Sequence, residues 1–383
     1  MNPPLALYVH FPWCVKKCPY CDFNSHEARQ GIPEGDYLAA LIADLDAALP
    51  LLEGRGFTSV FFGGGTPSLM AAETVAALLA ACRQSHGDSL RSRGLFQDGI
   101  EITLEANPGA VEAAKFAGFR AAGVNRLSLG IQSFDDAKLK ALGRIHSAVE
   151  ARRALDLALT HFDNVNLDLM YALPQQTLDE ARRDIEAAIA LGPTHISAYH
   201  LTLEPNTPFH HAPPPLPDDD LAADMQDTVE AALAAAGFEH YETSAFARPG
   251  FQCRHNRNYW NFGDYLGIGA GAHSKISSPG AVRREARPRG PKDYLADPLT
   301  RRWQDVATAD LPGEFMMNAL RLNGGFAPAL FTERTRLPLA VIEKSLLAAR
   351  RDGLLEVTDE RIRPTARGRR YLNRLLELFL ADA

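Results

Sequence analysis

The sequence predicts an α/β fold in which six strand and helix units form an incomplete barrel, followed by a small, mainly helical domain. Short apolar runs rich in branched and aromatic residues recur through the first two-thirds of the chain, with helical patterns between them. Such alternation is typical of parallel strands joined by right-handed crossovers. Six units are two fewer than a closed (β/α)₈ barrel contains. We therefore expect a partial (β/α)₆ TIM-like barrel, open along one side.

The predicted elements follow from the spacing of apolar residues. The strands are predicted at residues 5–9, 58–62, 100–105, 126–131, 164–170 and 195–201. The helix predicted at 36–49 aligns Leu38, Ile42 and Leu45 on one stripe, and the helix predicted at 177–191 has the same periodicity.

Polar residues stand at the carboxyl ends of these strands, where parallel barrels place their chemistry. Gly-Gly-Gly-Thr-Pro at 63–67 follows the second strand, Glu105 ends the third, Gln132 the fourth, and the fifth carries Asp168. Glycines let a ligand approach the backbone, the two carboxylates could accept hydrogen bonds from ribose hydroxyls, and Gln132 and Arg144 could bind a carboxylate or an adenine edge. Each feature alone also fits a tight turn or a helix cap. Their recurrence at one rim favours a binding site.

Three cysteines directly after the first predicted strand carry the strongest chemical signal. A [4Fe–4S] cluster held by thiolates normally takes four, so Cys14, Cys18 and Cys21 leave one iron open to a ligand from outside the protein. Zinc is the alternative, with His10 or His26 as a fourth ligand.

A disulfide framework is disfavoured for these cysteines. Disulfide frameworks suit small secreted domains with an even cysteine count, whereas this chain has 383 residues and five cysteines. No signal-type apolar stretch follows a basic start. Cys82 lies in an apolar helical pattern and is expected to be a small core residue.

Composition indicates a globular protein, which we expect in the cytoplasm. Hydrophobic residues make up 46% of the chain, and no segment approaches the roughly 18 consecutive apolar residues of a membrane span. The net charge of −7 argues against nucleic acid as the main partner.

The motifs resemble those of the radical S-adenosylmethionine (SAM) proteins, and within them the oxygen-independent coproporphyrinogen III oxidase-like family. The matching runs are Tyr-Val-His-Phe-Pro-Trp-Cys at 8–14, the cysteine triplet, Gly-Gly-Gly-Thr-Pro, Leu-Glu-Ala-Asn-Pro, Ser-Leu-Gly-Ile-Gln-Ser-Phe, Arg-Ile-His and Asn-Leu-Asp-Leu-Met-Tyr-Ala-Leu-Pro. The resemblance implies that the open iron takes the amino and carboxylate groups of SAM. It also implies that the reduced cluster can split SAM into methionine and a 5′-deoxyadenosyl radical. The residues implied to line the SAM site are Tyr8, Gly64, Gly65, Thr66, Glu105, Gln132, Arg144 and Asp168.

Within that family, the chain resembles the haem chaperones more than the coproporphyrinogen dehydrogenases. The dehydrogenases have a longer segment before the first strand and a further cysteine, where this chain has Phe23. The chaperones have a His-Asn-x-x-Tyr-Trp motif, which is complete here at 255–260.

The residues implied to contact haem are His255, Asn256, Tyr259 and Trp260. Imidazole is a common haem ligand, and Tyr and Trp offer flat apolar faces. Cys253 is an alternative thiolate ligand, and a loop histidine bonded to backbone is the plainer interpretation of His255.

Three regions are predicted: a barrel with the cluster and SAM site at 1–212, a connecting region with the haem motif at 213–300, and a C-terminal helical domain at 301–383. A proline-rich break at 212–217 marks the first boundary. The glycine-rich run at 266–274 imitates a dinucleotide fingerprint without its βαβ context and is interpreted as a close-packed loop. The polar stretch at 277–298 is interpreted as a surface excursion.

The C-terminal domain is predicted to resemble a winged helix. Helices are expected at 313–322 and 338–352, then a hairpin, then a last helix to about residue 380. Between residues 350 and 374, eight arginines face four acidic residues, a local net charge of +4. Such a face suits nucleic acid or an anionic membrane surface, although a solvated face is favoured.

The function implied by the resemblance is that of a haem chaperone carrying a [4Fe–4S] cluster and SAM, with haem and acceptor haemoproteins as partners. Whether it is also an enzyme stays open. One alternative is the oxidative decarboxylation of coproporphyrinogen III. A second is a radical enzyme that modifies nucleic acid through the basic C-terminal module.

Overall fold

The computed structural model describes residues 2–29, 31–83, 95–110 and 113–380. Its centre is a twelve-stranded sheet. The strands of this sheet are β1 (Leu5–Phe11), β4 (Phe57–Gly64), β5 (Phe96–Ala106), β6 (Arg126–Gln132), β7 (Val165–Tyr171), β8 (His195–His200), β9 (Glu239–Glu242), β10 (Ala245–Ala247), β11 (Asp264–Ile268), β12 (His273–Ser278), β13 (Ala281–Ala286) and β14 (Trp303–Asp305). Their order in the sheet is β14-β13-β12-β11-β1-β4-β5-β6-β7-β8-β10-β9. Two small pairs stand apart: β2 (Trp13–Cys14) with β3 (His26–Glu27), and β15 (Leu355–Val357) with β16 (Ile362–Pro364).

Helices cover the outer face of the sheet and build the C-terminal region. They are α1 (Glu34–Ala48), α2 (Ala72–Arg83), α3 (Ala113–Ala122), α4 (Asp136–Ala141), α5 (Ala148–His161), α6 (Leu178–Ala190), α7 (Pro208–His211), α8 (Asp219–Ala235), α9 (Arg254–Trp260), α10 (Pro291–Ala296), α11 (Leu311–Ala319), α12 (Pro328–Thr335), α13 (Glu343–Arg351), α14 (Ala366–Arg370) and α15 (Leu372–Glu377). No helix among these residues is long and apolar enough to cross a membrane.

The predicted partial barrel is confirmed. Strands β1, β4, β5, β6, β7 and β8 pair in parallel with one another in that order, and the sheet does not close on itself. Each predicted strand is present within a few residues of its expected ends. Local signals fix some helix starts: Thr177 and Glu180 form a capping box at the beginning of α6.

Alternation along the strands separates an outer from an inner face. In β1, Leu5, Leu7 and Val9 are fully buried in the main hydrophobic core, whereas Tyr8 and His10 line a cavity on the inner face. Because side chains alternate along a strand, one strand serves both the core and the site.

Two interpretations of the connecting region are wrong. Residues 266–274 are not a loop: they contain most of β11, a tight glycine turn and the start of β12. Strand β11 pairs in parallel with β1, so the sheet continues past the predicted barrel. Residues 277–298 are not a surface excursion either, because they include β13 and α10.

A buried ion network holds this added part of the sheet against α1. Arg287 is fully buried and pairs with Asp44 at 3.2 Å and Glu285 at 3.0 Å. Arg301 contacts the same two carboxylates. Arg287, one of the arginines that made this stretch resemble a surface segment, is therefore an internal anchor, which composition alone does not reveal.

The C-terminal region has its own hydrophobic core, and its predicted helical character is confirmed. The element order is three helices (α11, α12 and α13), a hairpin and two helices (α14 and α15). Helix α12 is an unpredicted addition, and the predicted last helix is divided into two short ones. Its core includes Phe262, which follows α9 and stacks edge to face on Phe315. The three-region division of the chain stays a prediction, since one sheet contains strands from residues 5 to 305.

Candidate functional site

A cavity of about 450 Å³ opens at the carboxyl ends of the parallel strands and collects most of the predicted site residues. The predicted residues that line it are Cys14, Cys18, Cys21, Gly64, Gly65, Thr66, Glu105, Gln132, Arg144 and Asp168. Tyr8 lines a neighbouring cavity instead. The rim of the barrel thus brings together residues that are far apart in sequence.

The three cysteine thiols of the loop after β1 are half-buried and share one wall of this cavity. Burial raises the pKa of Cys14 and Cys21, and the Thr66 and Ser25 side chains oppose the shift at Cys14. A metal centre would reverse this preference, since a coordinating thiol is deprotonated.

Neither of the histidines proposed as a fourth zinc ligand lines the cavity of the three cysteines. Among the residues that the structure describes, no group of three or more His, Cys, Asp and Glu side chains is arranged to hold one metal ion. His10 has both ring nitrogens engaged: Nδ1 accepts from the Tyr8 hydroxyl at 3.1 Å, and Nε2 donates to the Asn24 carbonyl at 2.8 Å. His26 donates from Nε2 to the Arg289 carbonyl at 3.3 Å. Both histidines thus have hydrogen-bond partners of their own.

Arg144 supports the cysteine loop from the opposite side of the cavity. One terminal nitrogen lies 3.6 Å from Cys18 Sγ and the other donates to the Gly130 carbonyl at 2.7 Å. Its buried Nε has no partner among the described residues. Gln132 lies beside it with a left-handed backbone (φ 71°), which turns the end of β6 into the cavity. The pair could bind a carboxylate.

The glycine run after β4 lies flat against the first strand and the cysteine loop. A Cβ on Gly65 would lie 2.9 Å from the Trp13 nitrogen, and one on Gly64 (φ 113°) would lie 2.6 Å from the His10 ring. Thr66 donates its backbone N–H to the Trp13 carbonyl at 2.8 Å. Only glycine permits this close approach.

Two carboxyl groups face the inside of the cavity with few donors of their own. Burial and the nearby Asp168 raise the pKa of Glu105 to about 8, and its hydrogen bond from the Gly64 N–H is long at 3.3 Å. Burial also raises the pKa of Asp168, opposed by the side chains of Ser128 and Asn166, each at 2.9 Å. Buried carboxyls with free acceptor positions suit a ligand that brings hydroxyl donors.

A second cavity of about 590 Å³ adjoins the first on the side of β1 and β11. Both cavities share Asp22, Phe23, Gly64 and Glu105 as lining residues. Its remaining lining residues are Tyr8, His10, Asn24, Tyr259, Tyr265, Gly271, His273, Ala286 and Arg289.

The predicted haem motif lies in α9, a short helix that contacts β1, β4 and β11. His255 is buried, with Nδ1 2.9 Å from the Ser59 hydroxyl and Nε2 3.0 Å from the Tyr259 hydroxyl. Burial and Arg126 lower the pKa of His255 to about 3, so its ring is neutral. Tyr259 alone of the motif lines the second cavity.

The other motif residues lie away from this cavity. Asn256 is half-buried, and Trp260 stacks under the Arg321 guanidinium at 4.4 Å. Cys253 is buried with its pKa raised to about 12 by burial, and its Sγ lies 3.6 Å from Glu101 Oε1. The predicted haem contacts of these residues stay predictions.

Sequence reasoning missed several residues of the site. Glu101 accepts the backbone N–H groups of Arg254 and His255 at 3.1 Å each and so fixes the start of α9. His273 and Arg289 lie in the stretches that are interpreted as loop and surface, and Tyr265 directly precedes the first of them. Tyr265 and His273 belong to β11 and β12, whose alternation is obscured by the glycine run.

The basic C-terminal face is partly neutralised. Four of its eight arginines form ion pairs, Arg351 with Asp352, Arg363 with Glu356, Arg370 with Asp227 and Arg374 with Glu377. This pairing favours a solvated face.

Two family models and several curated relatives match this chain. The model of the radical SAM superfamily matches residues 8–188, and that of the HemN C-terminal domain matches residues 306–371. The chain is 47% identical over 386 residues to the heme chaperone HemW of Haemophilus influenzae, and 46% identical over 382 residues to that of Escherichia coli. Each alignment covers 99% of both chains. A mouse protein, radical S-adenosyl methionine domain-containing protein 1, mitochondrial, is 44% identical over 74% of this chain and 63% of its own length.

A solved structure has the same architecture. The coproporphyrinogen III oxidase HemN of Escherichia coli, a radical SAM enzyme, superposes with a TM-score of 0.82 at 25% identity, covering 99% of this chain and 91% of that one. The cysteine loop, the open barrel and the full-length relatives lead to one assignment: the chain belongs to the radical SAM superfamily and, within it, to the family of the HemW proteins.

Proposed function

We propose that this protein is a haem chaperone, which binds haem and passes it to acceptor haemoproteins, and which carries a [4Fe–4S] cluster with SAM. The observation that carries the proposal is full-length identity of 46–47% to two heme chaperones, together with two adjoining cavities at the open rim. One cavity has the donors for a cluster and a nucleoside, and the other has aromatic walls.

The cluster would be held by Cys14, Cys18 and Cys21. When bound, it would supply an open iron for the amino and carboxylate groups of SAM. Arg144 would balance the charge of the thiolates, because its guanidinium lies 3.6 Å from Cys18 Sγ.

The chain's own residues would position the nucleoside. Gly64, Gly65 and Thr66 would give it room against the backbone, and Glu105 and Asp168 would accept hydrogen bonds from its hydroxyls. Gln132 would hold the carboxylate or the adenine edge, and Tyr8 would close the side next to the second cavity. Haem would meet the protein through the His-Asn-x-x-Tyr-Trp motif, with Tyr259 as the residue that lines the cavity.

The test separates the two cofactors spectroscopically. Anaerobically reconstituted protein is titrated with haem, and its absorption spectrum is compared with that of Cys18→Ala. We expect the variant to lose the cluster absorption and keep the Soret band. Mixing the haem-loaded protein with an apo-haemoprotein should move the Soret band to that acceptor. Absence of haem binding, or of any transfer, would refute the chaperone.

The second candidate is the oxidative decarboxylation of coproporphyrinogen III, favoured by the fold shared with HemN over 99% of this chain. Phe23 stands where the resemblance places a further cysteine in such enzymes, and it is 59% exposed at the mouth of both cavities. Reconstituted protein with SAM and reductant is expected to leave coproporphyrinogen III unchanged. Conversion to protoporphyrinogen at a rate comparable with HemN would favour the enzyme.

A further inference from the structure

The second cavity contains several groups that could ligate a haem iron, and most of them are already occupied. It is lined by two histidines, His10 and His273, and by three tyrosines. Imidazole and phenolate are both known haem ligands. The candidate iron ligand is the group that has no other partner.

His10 and the tyrosines each have internal partners. Both nitrogens of His10 are hydrogen-bonded, one of them to the Tyr8 hydroxyl. The hydroxyl of Tyr259 lies 3.0 Å from His255 Nε2, and that of Tyr265 accepts from Arg284 at 3.0 Å. Burial raises the pKa of all three tyrosines, which disfavours a phenolate.

His255 of the motif also has internal hydrogen-bond partners. Its two ring nitrogens contact Ser59 and Tyr259, and its side chain lies behind Tyr259 rather than on the cavity wall. To reach an iron in the cavity it would have to break both hydrogen bonds and displace Tyr259. That would leave buried polar groups unpaired, which is unfavourable.

His273 differs from all of these. It is exposed to the cavity, and neither ring nitrogen is hydrogen-bonded to any residue that the structure describes. Burial, Arg284 and Arg289 lower its pKa, so the ring is neutral near pH 7, the form that coordinates a metal.

The backbone that carries His273 is firmly held. The turn before it packs so closely that a Cβ on Gly271 would collide with Asn24. The Asn24 amide donates to the carbonyls of Ala270 at 3.1 Å and Arg289 at 3.0 Å, joining the turn to the segment after β13. The ligand would thus stand on a rigid support, as a metal site requires.

Arg289 supplies a partner for the acidic side of haem. Its side chain is exposed at the cavity and forms no ion pair with any residue in the described ranges. Guanidinium binds carboxylates in a fork geometry. Haem is flat and apolar with two propionates, so an aromatic cavity with one free imidazole and one free guanidinium matches its chemistry. Two acidic residues also line the cavity: Asp22, which is exposed to solvent, and Glu105, which is shared with the first cavity.

We propose that the second cavity is the haem site, with His273 as the axial iron ligand and Arg289 as the propionate partner. The His-Asn-x-x-Tyr-Trp motif then contributes indirectly. The hydrogen bond between His255 and Tyr259 positions Tyr259 in the aromatic wall of the cavity. This inference rests on the proposed haem chaperone function and names the residues of that same site.

The test is a haem titration followed by Soret position, iron spin state and affinity. His273→Ala is compared with wild type and with His161→Ala, which removes a histidine at the end of α5. We expect His273→Ala to weaken haem binding by at least about tenfold, since even an outer-shell partner of a metal ligand is worth that much. Added imidazole should restore the wild-type spectrum in His273→Ala, and His161→Ala should match wild type throughout.

The propionate contact is tested with a matched ligand. Arg289→Gln should weaken the binding of haem but not of a haem dimethyl ester, which lacks the charged carboxylates. Arg283→Gln, whose arginine pairs with Asp305 at the surface, should change neither. Equal effects on both ligands would contradict the role of Arg289.

The outcomes separate the two levels of the proposal. If wild type gives no Soret band on titration, the haem function itself fails, and the ligand assignment with it. If wild type binds haem and His273→Ala is spectrally identical to it, the function stands and the ligand assignment is wrong. Loss of axial ligation in His255→Ala with normal ligation in His273→Ala would assign the iron to the motif histidine.

Discussion

The proposed contact of Glu105 with the ribose of SAM predicts that SAM binding depends on pH. Burial and Asp168 raise its pKa to about 8, so the group is mostly protonated at pH 7. Ribose hydroxyls donate best to the ionised form, so binding favours deprotonation. We predict that SAM affinity rises as the pH increases through 8, by at most about tenfold per pH unit. Calorimetric titration of reconstituted protein from pH 6.5 to 9 measures it.

Glu105→Gln is the control for this titration. The amide keeps the shape but does not ionise, so the affinity of the variant should lose this rise with pH and fall below wild type at pH 9. The same slope in both proteins would assign the pH dependence to SAM or to another group.

Gly65 lies too close to the Trp13 backbone to be replaced by a residue with a side chain. A Cβ there would lie 2.9 Å from the Trp13 backbone nitrogen. We predict that Gly65→Ala destabilises the protein by about 1–3 kcal/mol, as overpacking does, and weakens SAM binding. Urea unfolding measures the first effect.

Gly35→Ala is the matched control for Gly65→Ala. Gly35 lies in the first turn of α1 with no described atom within 4 Å of its added Cβ. The variant should be as stable as wild type or slightly more stable, because alanine favours the helix. Equal destabilisation by both changes would contradict the steric argument.

At the scale of elements, β13 depends on the buried ion network with α1. Removing one partner of a buried pair leaves charges uncompensated and typically costs about 3–5 kcal/mol. We predict that Arg287→Met lowers the free energy of unfolding by about this amount, since Asp44 and Glu285 would share only Arg301. Chemical denaturation followed by circular dichroism provides the value.

Strand β13 also contains the residue for a control substitution. Arg283 pairs with Asp305, whose side chain is 69% exposed, and exposed pairs contribute little. Arg283→Met should change the free energy of unfolding by less than about 1 kcal/mol. The argument fails if the two substitutions are equally harmful.

The six barrel strands could be predicted because each has a local signal, an apolar run of the right length. Strands β12 and β13 could not be predicted, because polar residues such as Ser277 and Arg283 are typical of a surface segment. Ser277 of β12 contacts Asp264 on the neighbouring strand β11. Arg287, which follows β13, contacts Asp44, which lies far away in the sequence. Long-range charge pairing leaves no periodic trace in a sequence.

The candidate site divides in the same way. The motif at 255–260 predicts a functional segment, but the contact of His255 with Ser59 joins positions 196 residues apart and could not be predicted. Glu105 and Asp168 were predictable because parallel strands end at one rim. His273 was not, because its strand was hidden by the glycine turn.

At the scale of the whole molecule, the C-terminal region is joined to the barrel through the residues after α9. Phe262 is 1% exposed and packs on Phe315 in the C-terminal core. We predict that Phe262→Ala lowers the free energy of unfolding by about 3–5 kcal/mol, as large core truncations do. Hydrogen exchange should become faster in both α9 and α11.

Leu347→Ala is the control within the same region. Its side chain is 59% exposed, so its removal should stay within about 0.5 kcal/mol of wild type. If Phe262→Ala unfolds only the C-terminal region and leaves α9 protected, the two parts are less tightly joined than these contacts indicate.

A barrel that does not close keeps two sheet edges, and here both end in very short strands. β14 has three residues and β9 has four. Glu242 of β9 also bridges to Leu322 of the C-terminal region. Unpaired edge strands are templates for intermolecular β-pairing, and short or covered edges discourage it. The fold can therefore leave its ligand-binding side open without offering neighbouring molecules a long strand on which to aggregate.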